Sequence, residues 1–250
     1  MARRLVCDAS GRPPRVRLEV VPDPTPAADG LVVRVRAANL AYVDLLLVEG
    51  GYQFTPEPPF TPGTVVVGEV IAAGPEADLP VGLPIAALSV GFGAYATLAS
   101  VPALAAVPLP RGPDSARAAV ALESYGTADN SLGDRARLAQ GERVLVLGAG
   151  GGVGQALLDT ARDRGAETIA VVSTPAGAER ARALGAGRVI DRTVDDLRSV
   201  MRAEVPEGVD VVADPVGRAL SVPALRSLGF GGRYLAPMFH RPVGGEVPVT

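Results

Sequence analysis

The residues best placed to do chemistry form one short run, Gly148-Ala149-Gly150-Gly151-Gly152-Val153-Gly154. Side chains this small let the main chain turn sharply and approach a ligand closely, and the frame Ala149-x-Gly151-x-x-Gly154 is the dinucleotide fingerprint with alanine for its first glycine. The implied chemistry is anion binding by backbone amides. A helix starting here offers unpaired N–H groups and its positive dipole end to a pyrophosphate, so Gly150, Gly151, Gly152, Val153 and Gly154 are candidate cofactor contacts. A plain structural turn is the alternative, and the flanking elements weigh against it. A second candidate set is Ser173-Thr174. A fold selective for NADH places an acid near there for the ribose 2′-hydroxyl; small hydroxyl residues leave room for the 2′-phosphate of NADPH.

Other chemistry is closed to this chain. Every basic residue apart from His240 is an arginine, so no Schiff-base lysine exists, and one cysteine with one histidine cannot assemble a zinc site, so no metal is expected. Cys7, alone, reads as a buried strand residue.

The elements that must position these groups follow from periodicity. Val144-Leu145-Val146-Leu147 is a short buried strand running into the glycines, and Val153, Leu157 and Ala161 continue as one face of a helix. Strand and helix then alternate: Thr168 to Val172, Ala178 to Leu184, Arg188 to Ile190, Asp195 to Met201, Val209 to Ala213, Ala219 to Leu228 and Arg233 to Ala236. Such alternation requires a parallel sheet covered on both faces, here with five strands where a full dinucleotide fold has six. Before residue 110 the rhythm differs. Short apolar runs at Leu31 to Ala37, Thr64 to Ala72, Ile85 to Leu88 and Ala94 to Val101, broken by Gly and Pro, predict an antiparallel, barrel-like domain, with residues 54–63 as a rigid proline-rich loop. Helical spacing from Ser115 to Leu138 bridges the two, giving an α/β protein of two domains, 1–114 and 115–250.

At 250 residues and 48% hydrophobic content the chain can bury such cores. A net charge of −3 without a basic stripe argues against nucleic acid. No apolar run reaches membrane-spanning length and no signal-type segment follows Met1, so a cytoplasmic protein with a small-molecule substrate is expected.

Asp44-Leu45-Leu46-Leu47-Val48-Glu49-Gly50-Gly51-Tyr52-Gln53, Pro59-Phe60-Thr61-Pro62-Gly63, Tyr125-Gly126-Thr127-Ala128, the glycine run and Asp214-Pro215-Val216-Gly217 together resemble the zinc-independent quinone oxidoreductases of the medium-chain dehydrogenase/reductase superfamily. The resemblance implies a GroES-like β domain plus a Rossmann domain, and transfer of a hydride from NADPH to a quinone or an α,β-unsaturated carbonyl. It further implies that Arg180 and Arg192 lie near the 2′-phosphate, that Phe239 contacts the cofactor, and that Tyr42, Tyr52 and Thr127 line the substrate cleft; Tyr52 and Tyr125 read equally as core. His240 reads either as a residue over the nicotinamide or as a terminal loop residue.

The chain departs from that pattern where the family usually has Asn-Phe-x-Asp, carrying Ala41-Tyr42-Val43-Asp44, with Asn39 a poor substitute for the lost amide. Pro-Gly-x-Glu becomes Pro62-Gly63-Thr64-Val65, and Gly-Asp-Arg-Val becomes Gly82-Leu83-Pro84-Ile85. The chain also stops before the family's sixth strand, so any homodimer is expected to use an atypical interface. A degenerate member with a non-redox or accessory role is the alternative function.

Overall fold

The computed structural model describes residues 1–236 except 55, 90, 111 and 113. Contacts divide the chain into Met1–Glu123 and a second unit that begins at Ser124.

In the first unit, β1 (Ala2–Ala9) and β2 (Arg15–Val21) pair antiparallel. A five-stranded antiparallel sheet follows, built from β3 (Gly30–Ala38), β4 (Val65–Ala73), β5 (Pro84–Leu88), β6 (Leu98–Pro102) and β7 (Ala106–Pro108) in the order β6-β3-β4-β5-β7. The inward alternate residues Leu31, Val33, Val66, Val70, Ile85 and Val101 make its core. Cys7 is fully buried on β1, where its backbone pairs with that of Phe60. Between β3 and β4 lies helix α1 (Tyr42–Glu49), stopped by Gly50 in the left-handed conformation (φ 75°). Periodicity did not find α1, because Leu45-Leu46-Leu47-Val48 is apolar at every step and carries no period.

In the second unit, β8 (Arg143–Leu147), β9 (Glu167–Val172), β10 (Arg188–Asp191), β11 (Val209–Ala213) and β12 (Leu228–Leu235) form one all-parallel sheet, ordered β10-β9-β8-β11-β12. Both faces are covered. Val144 and Val146 of β8 pack with Leu157 and Ala161 of α3 (Gly152–Asp163) and Ala178 and Ala181 of α4 (Pro175–Ala183). Leu145 and Leu147 face the other way, toward Leu197 and Met201 on the helix 197–204 and Ala224 on the helix 221–225. That two-sided burial is why the strand reads as a continuous apolar run. Strand order reverses at β8, so its C-terminal end, where the glycines begin, is the switch point of the sheet. Helix 115–129 leads into the sheet through a π-helical turn, Asn130–Arg135, and carries the division between the units within it. No helix of the described residues is long and apolar enough to cross a membrane.

Candidate functional site

Each glycine of the run after β8 answers to a different constraint. Gly148 sits at φ +60°, and its carbonyl accepts the Gly151 amide at 2.9 Å. A Cβ on Gly154 would lie 2.2 Å from that carbonyl oxygen, and one on Gly150 would lie 2.8 Å from the Cα of Gly177, so packing alone demands both glycines. Gly151 differs. It is extended (φ −89°, ψ 170°), and a Cβ there would meet nothing nearer than 3.4 Å. The fold therefore leaves the space above Gly151 open, at the N-terminus of α3, whose first turn has no side-chain cap. Exposed amides at a helix start beside a side-chain-free residue suit a phosphate.

The end of β9 supplies the neighbouring groups. Ser173 and Thr174 are exposed; Thr174 caps α4, its Oγ1 accepting the Gly177 amide at 3.1 Å. Arg180 of α4 reaches back so that Nη2 donates to the Gly150 carbonyl at 3.2 Å. The backbone amide of Arg192 donates to Val172, the last residue of β9, at 3.0 Å. Gly150 to Gly154, Ser173, Thr174, Arg180 and the backbone of Arg192 thus gather at the C-terminal ends of β8, β9 and β10. Gly177, which sequence reasoning missed, is what lets α4 approach the turn; its only signal was a glycine three residues beyond Thr174.

A buried loop after β11 backs the turn. Asp214 Oδ1 accepts the amides of Val216 (2.9 Å) and Gly217 (2.7 Å), and Oδ2 accepts the Ser221 hydroxyl (2.7 Å) and that of Tyr234. Burial first, and the adjacent Asp214 second, push the Tyr234 phenol up to about 12. Val216 Cγ2 stands 2.5 Å from where a Cβ on Gly148 would be, so this loop also forbids a side chain there.

The first unit holds a polar network with no cation among its described members. Asn39, buried just past β3, donates through Nδ2 to Glu123 Oε2 at 2.8 Å, and Thr64 donates to the same oxygen at 3.4 Å. The Asn39 carbonyl accepts the Tyr95 hydroxyl at 2.9 Å. Tyr95 lies beside Asp44, whose Oδ2 accepts the Ala41 amide at 2.9 Å while Oδ1 is buried without a partner. Burial raises Asp44, Glu123 and Tyr95 alike above their ordinary values. The single Tyr95 proton is given to Asn39, so a carboxyl beside that oxygen pairs with it only by keeping its own proton. The side-chain amide of Asn39 is committed to Glu123.

The pH dependence of stability follows from these directions. A carboxyl raised on folding contributes stability that is complete below its unfolded value, about 3.9 for Asp, and that is lost as pH rises through the folded value. Asp44→Asn keeps the shape without the charge, so its urea midpoint is expected to fall less than that of the wild type between pH 4 and 8. Asp44→Ala, which leaves the Ala41 amide unpaired, is expected to cost about 1–3 kcal/mol. Parallel wild-type and Asn-variant midpoints across that range would show that Asp44 is ionised throughout.

The remaining candidates are more scattered. Tyr42 opens α1 and is half exposed, and Tyr52 follows α1 in the same unit, partly buried. Thr127 is partly buried on helix 115–129, in the second unit. Tyr125 is half exposed and donates to Asp159 at 2.9 Å, so it belongs to a surface network, not to a core. Phe239 and His240 lie outside the described residues. Among the described residues, no group of three or more His, Cys, Asp or Glu could hold a metal ion.

Comparison with known proteins follows the division of the chain. Residues 27–111 match the alcohol dehydrogenase GroES-like domain, and residues 152–236 match the zinc-binding dehydrogenase domain. The chain is 33% identical over 212 residues to a mycocerosic acid synthase-like polyketide synthase of Mycobacterium tuberculosis, covering 84% of itself and 10% of that protein. It is 31% identical over 214 residues to mouse prostaglandin reductase-3, covering 86% of itself and 56% of that protein. It therefore spans only part of the length of these relatives. Among solved structures, the quinone oxidoreductase of Thermus thermophilus, determined alone and in complex with NADPH, is 31% identical with a TM-score of 0.81; the match covers 96% of this chain and 75% of that one.

Proposed function

This chain belongs to the medium-chain dehydrogenase/reductase superfamily as a quinone-oxidoreductase-like member, and from that premise we propose that it is an oxidoreductase that binds NADPH and reduces a quinone or an α,β-unsaturated carbonyl. The observation that carries the reading is the open Gly151 at the start of α3, with a β9 end that bears no acid and is flanked by Arg180 and Arg192. The residues fit the cofactor. Gly150, Gly151, Gly152, Val153 and Gly154 would hold its pyrophosphate, and Ser173, Thr174, Arg180 and Arg192 its 2′-phosphate. When bound, it supplies a hydride. Tyr42, Tyr52 and Thr127 would orient the electrophile by hydrogen bonds to its carbonyl.

The substrate class draws support from the relatives. The relatives are named for a quinone, a prostaglandin and, for CurK, whose solved structure is 26% identical with a TM-score of 0.84, an enoyl group; quinones and enoyl thioesters both carry an electrophilic carbon conjugated to a carbonyl. The test is a fluorescence titration with NADPH and NADH, followed by NADPH oxidation against a panel of quinones, enones and enoyl thioesters. Tyr52→Phe is expected to lower turnover on the order of a hundredfold while leaving NADPH affinity unchanged, because a misoriented acceptor loses its reactive geometry. Robust turnover indifferent to Tyr42→Phe, Tyr52→Phe and Thr127→Val would remove all three from the site.

The second reading, a member that keeps the fold without hydride transfer, is favoured by the methyl of Ala41 and by the commitment of Asn39 to Glu123. It predicts no NADPH oxidation by the wild type and a gain of activity in Ala41→Asn.

A further inference from the structure

Strand β2 carries an unpaired edge, and the hydrogen bonds of its neighbour fix which residues form it. On β1, the Leu5 amide donates to Tyr95, Cys7 exchanges both backbone bonds with Phe60, and the Arg3 carbonyl accepts the Thr97 amide. Arg3, Leu5 and Cys7 therefore turn their backbone groups away from β2. Opposite them in the register stand Val20, Leu18 and Val16. Members of such an antiparallel pair point their groups in opposite directions, so the N–H and C=O of Val16, Leu18 and Val20 point outward on the far side of β2. Among the described residues, β2 pairs only with β1.

That edge is also apolar. Val16 is 45%, Leu18 75% and Val20 61% exposed. Arg17 and Glu19 alternate with them on the other face, where Glu19 accepts a bond from Arg4 at 2.7 Å and Arg17 donates to Asp8 at 2.9 Å. Pro13 and Pro14 before the strand and Pro22 and Pro24 after it confine any further pairing to Arg15–Val21. An open edge of this kind is a template for another strand.

The charges decide which strand fits. Arg15-Val16-Arg17-Leu18-Glu19-Val20-Val21 is complementary to itself when two copies run antiparallel about a two-fold axis at Leu18. Leu18 then lies opposite Leu18 of the partner subunit, Val16 opposite the partner's Val20, and Arg17 opposite the partner's Glu19. The apolar pairs are those whose outward backbone groups exchange both bonds, and the charged pairs fall between them at the narrow positions, where side chains approach most closely. Moving the axis to Arg17 or Glu19 sets like charges directly opposite, which fixes the register.

We propose that this chain self-associates through β2, joining two β1-β2 hairpins into one sheet across a two-fold axis. The inference uses only the first unit and stands apart from the enzymatic reading. A single strand pair buries less than about 1,200 Å², so dimerisation is expected to be concentration-dependent, and a closed two-fold stops at two copies.

The test is sedimentation velocity of the full chain over a concentration series, with two charge reversals. Arg17→Glu sets a carboxylate against the partner's Glu19, and Glu19→Arg sets a guanidinium against the partner's Arg17. Each alone is expected to weaken dimerisation on the order of tenfold. An equimolar mixture restores opposite charges at every charged pair and is expected to dimerise as the wild type does, a rescue that mere damage to β2 would not allow. Hydrogen exchange supplies a second readout: the amides of Val16, Leu18 and Val20 should gain protection as concentration rises, while those of Arg17 and Glu19, which face β1, stay protected throughout. The proposal is overturned by a wild type that is monomeric at every concentration, by assemblies larger than two, or by a dimer that both reversals leave intact. Failure of the mixture to recover, or outward amides already protected in the dilute monomer because another part of the chain covers them, overturns it equally.

Discussion

Gly151→Val is expected to abolish NADPH binding while the protein stays folded, whereas Gly154→Val is expected not to fold at all. The two positions look alike in the fingerprint, and the structure separates them. At Gly151 the backbone is extended, a conformation that valine prefers, and a Cβ meets its nearest neighbour at an ordinary 3.4 Å. Replacing a glycine cap there costs roughly 1 kcal/mol at most, so the melting temperature should drop by only a few degrees. The two γ-methyls would project over the first amides of α3, where a pyrophosphate must come within hydrogen-bond distance, and the dissociation constant should rise at least a hundredfold. At Gly154 the clash is internal: a Cβ 2.2 Å from the Gly148 carbonyl would force α3 off β8, the contact that seats Leu157 and Ala161 in the core. Circular dichroism melts paired with fluorescence titration read both effects. NADPH binding by Gly151→Val at wild-type affinity would mean that the open turn is not the pocket.

The second large effect is expected in cofactor choice. Wild type should prefer NADPH to NADH, and Arg180→Ala with Arg192→Ala should erase the preference. A hydrogen bond between a guanidinium and a phosphate contributes on the order of 1.5–3 kcal/mol, so losing two would weaken NADPH by roughly a hundredfold or more and leave NADH nearly unaffected. The single variants should differ from each other. Arg180 also donates to the Gly150 carbonyl, so its removal loosens the turn and weakens both nucleotides slightly. Arg192 meets the end of β9 through its backbone amide, which alanine retains, so its loss should act on NADPH alone. Equal affinities for the two nucleotides in the wild type would leave the arginines without a phosphate to read.

The parallel unit was largely legible in advance, because its order is written in local periodicity. Four-residue apolar runs, amphipathic helices between them and a glycine turn at the first strand are each decided by neighbours a few residues away, and β8 to β11 follow that reading closely, whereas β12 begins at Leu228, where the reading still had helix, and not at Arg233. The antiparallel unit was legible in part. Its hairpin was legible in Val16, Leu18 and Val20, which alternate with Arg15, Arg17 and Glu19 as a strand requires, although the fold leaves those apolar residues exposed, and α1 escaped because an unbroken apolar run has no period. The candidate site divides the same way. The amino-acid sequence alone determined the glycine turn between β8 and α3, the missing acid after β9 and the lack of any lysine. Only the tertiary structure decided that Gly151 is open where Gly154 is closed, that Gly177 meets Gly150, and that Asn39 is bound to Glu123, 84 residues away. Periodicity records how each residue partitions between solvent and interior; which buried polar groups meet is set by strand register and by crossovers that bring distant segments together, and no local pattern encodes that.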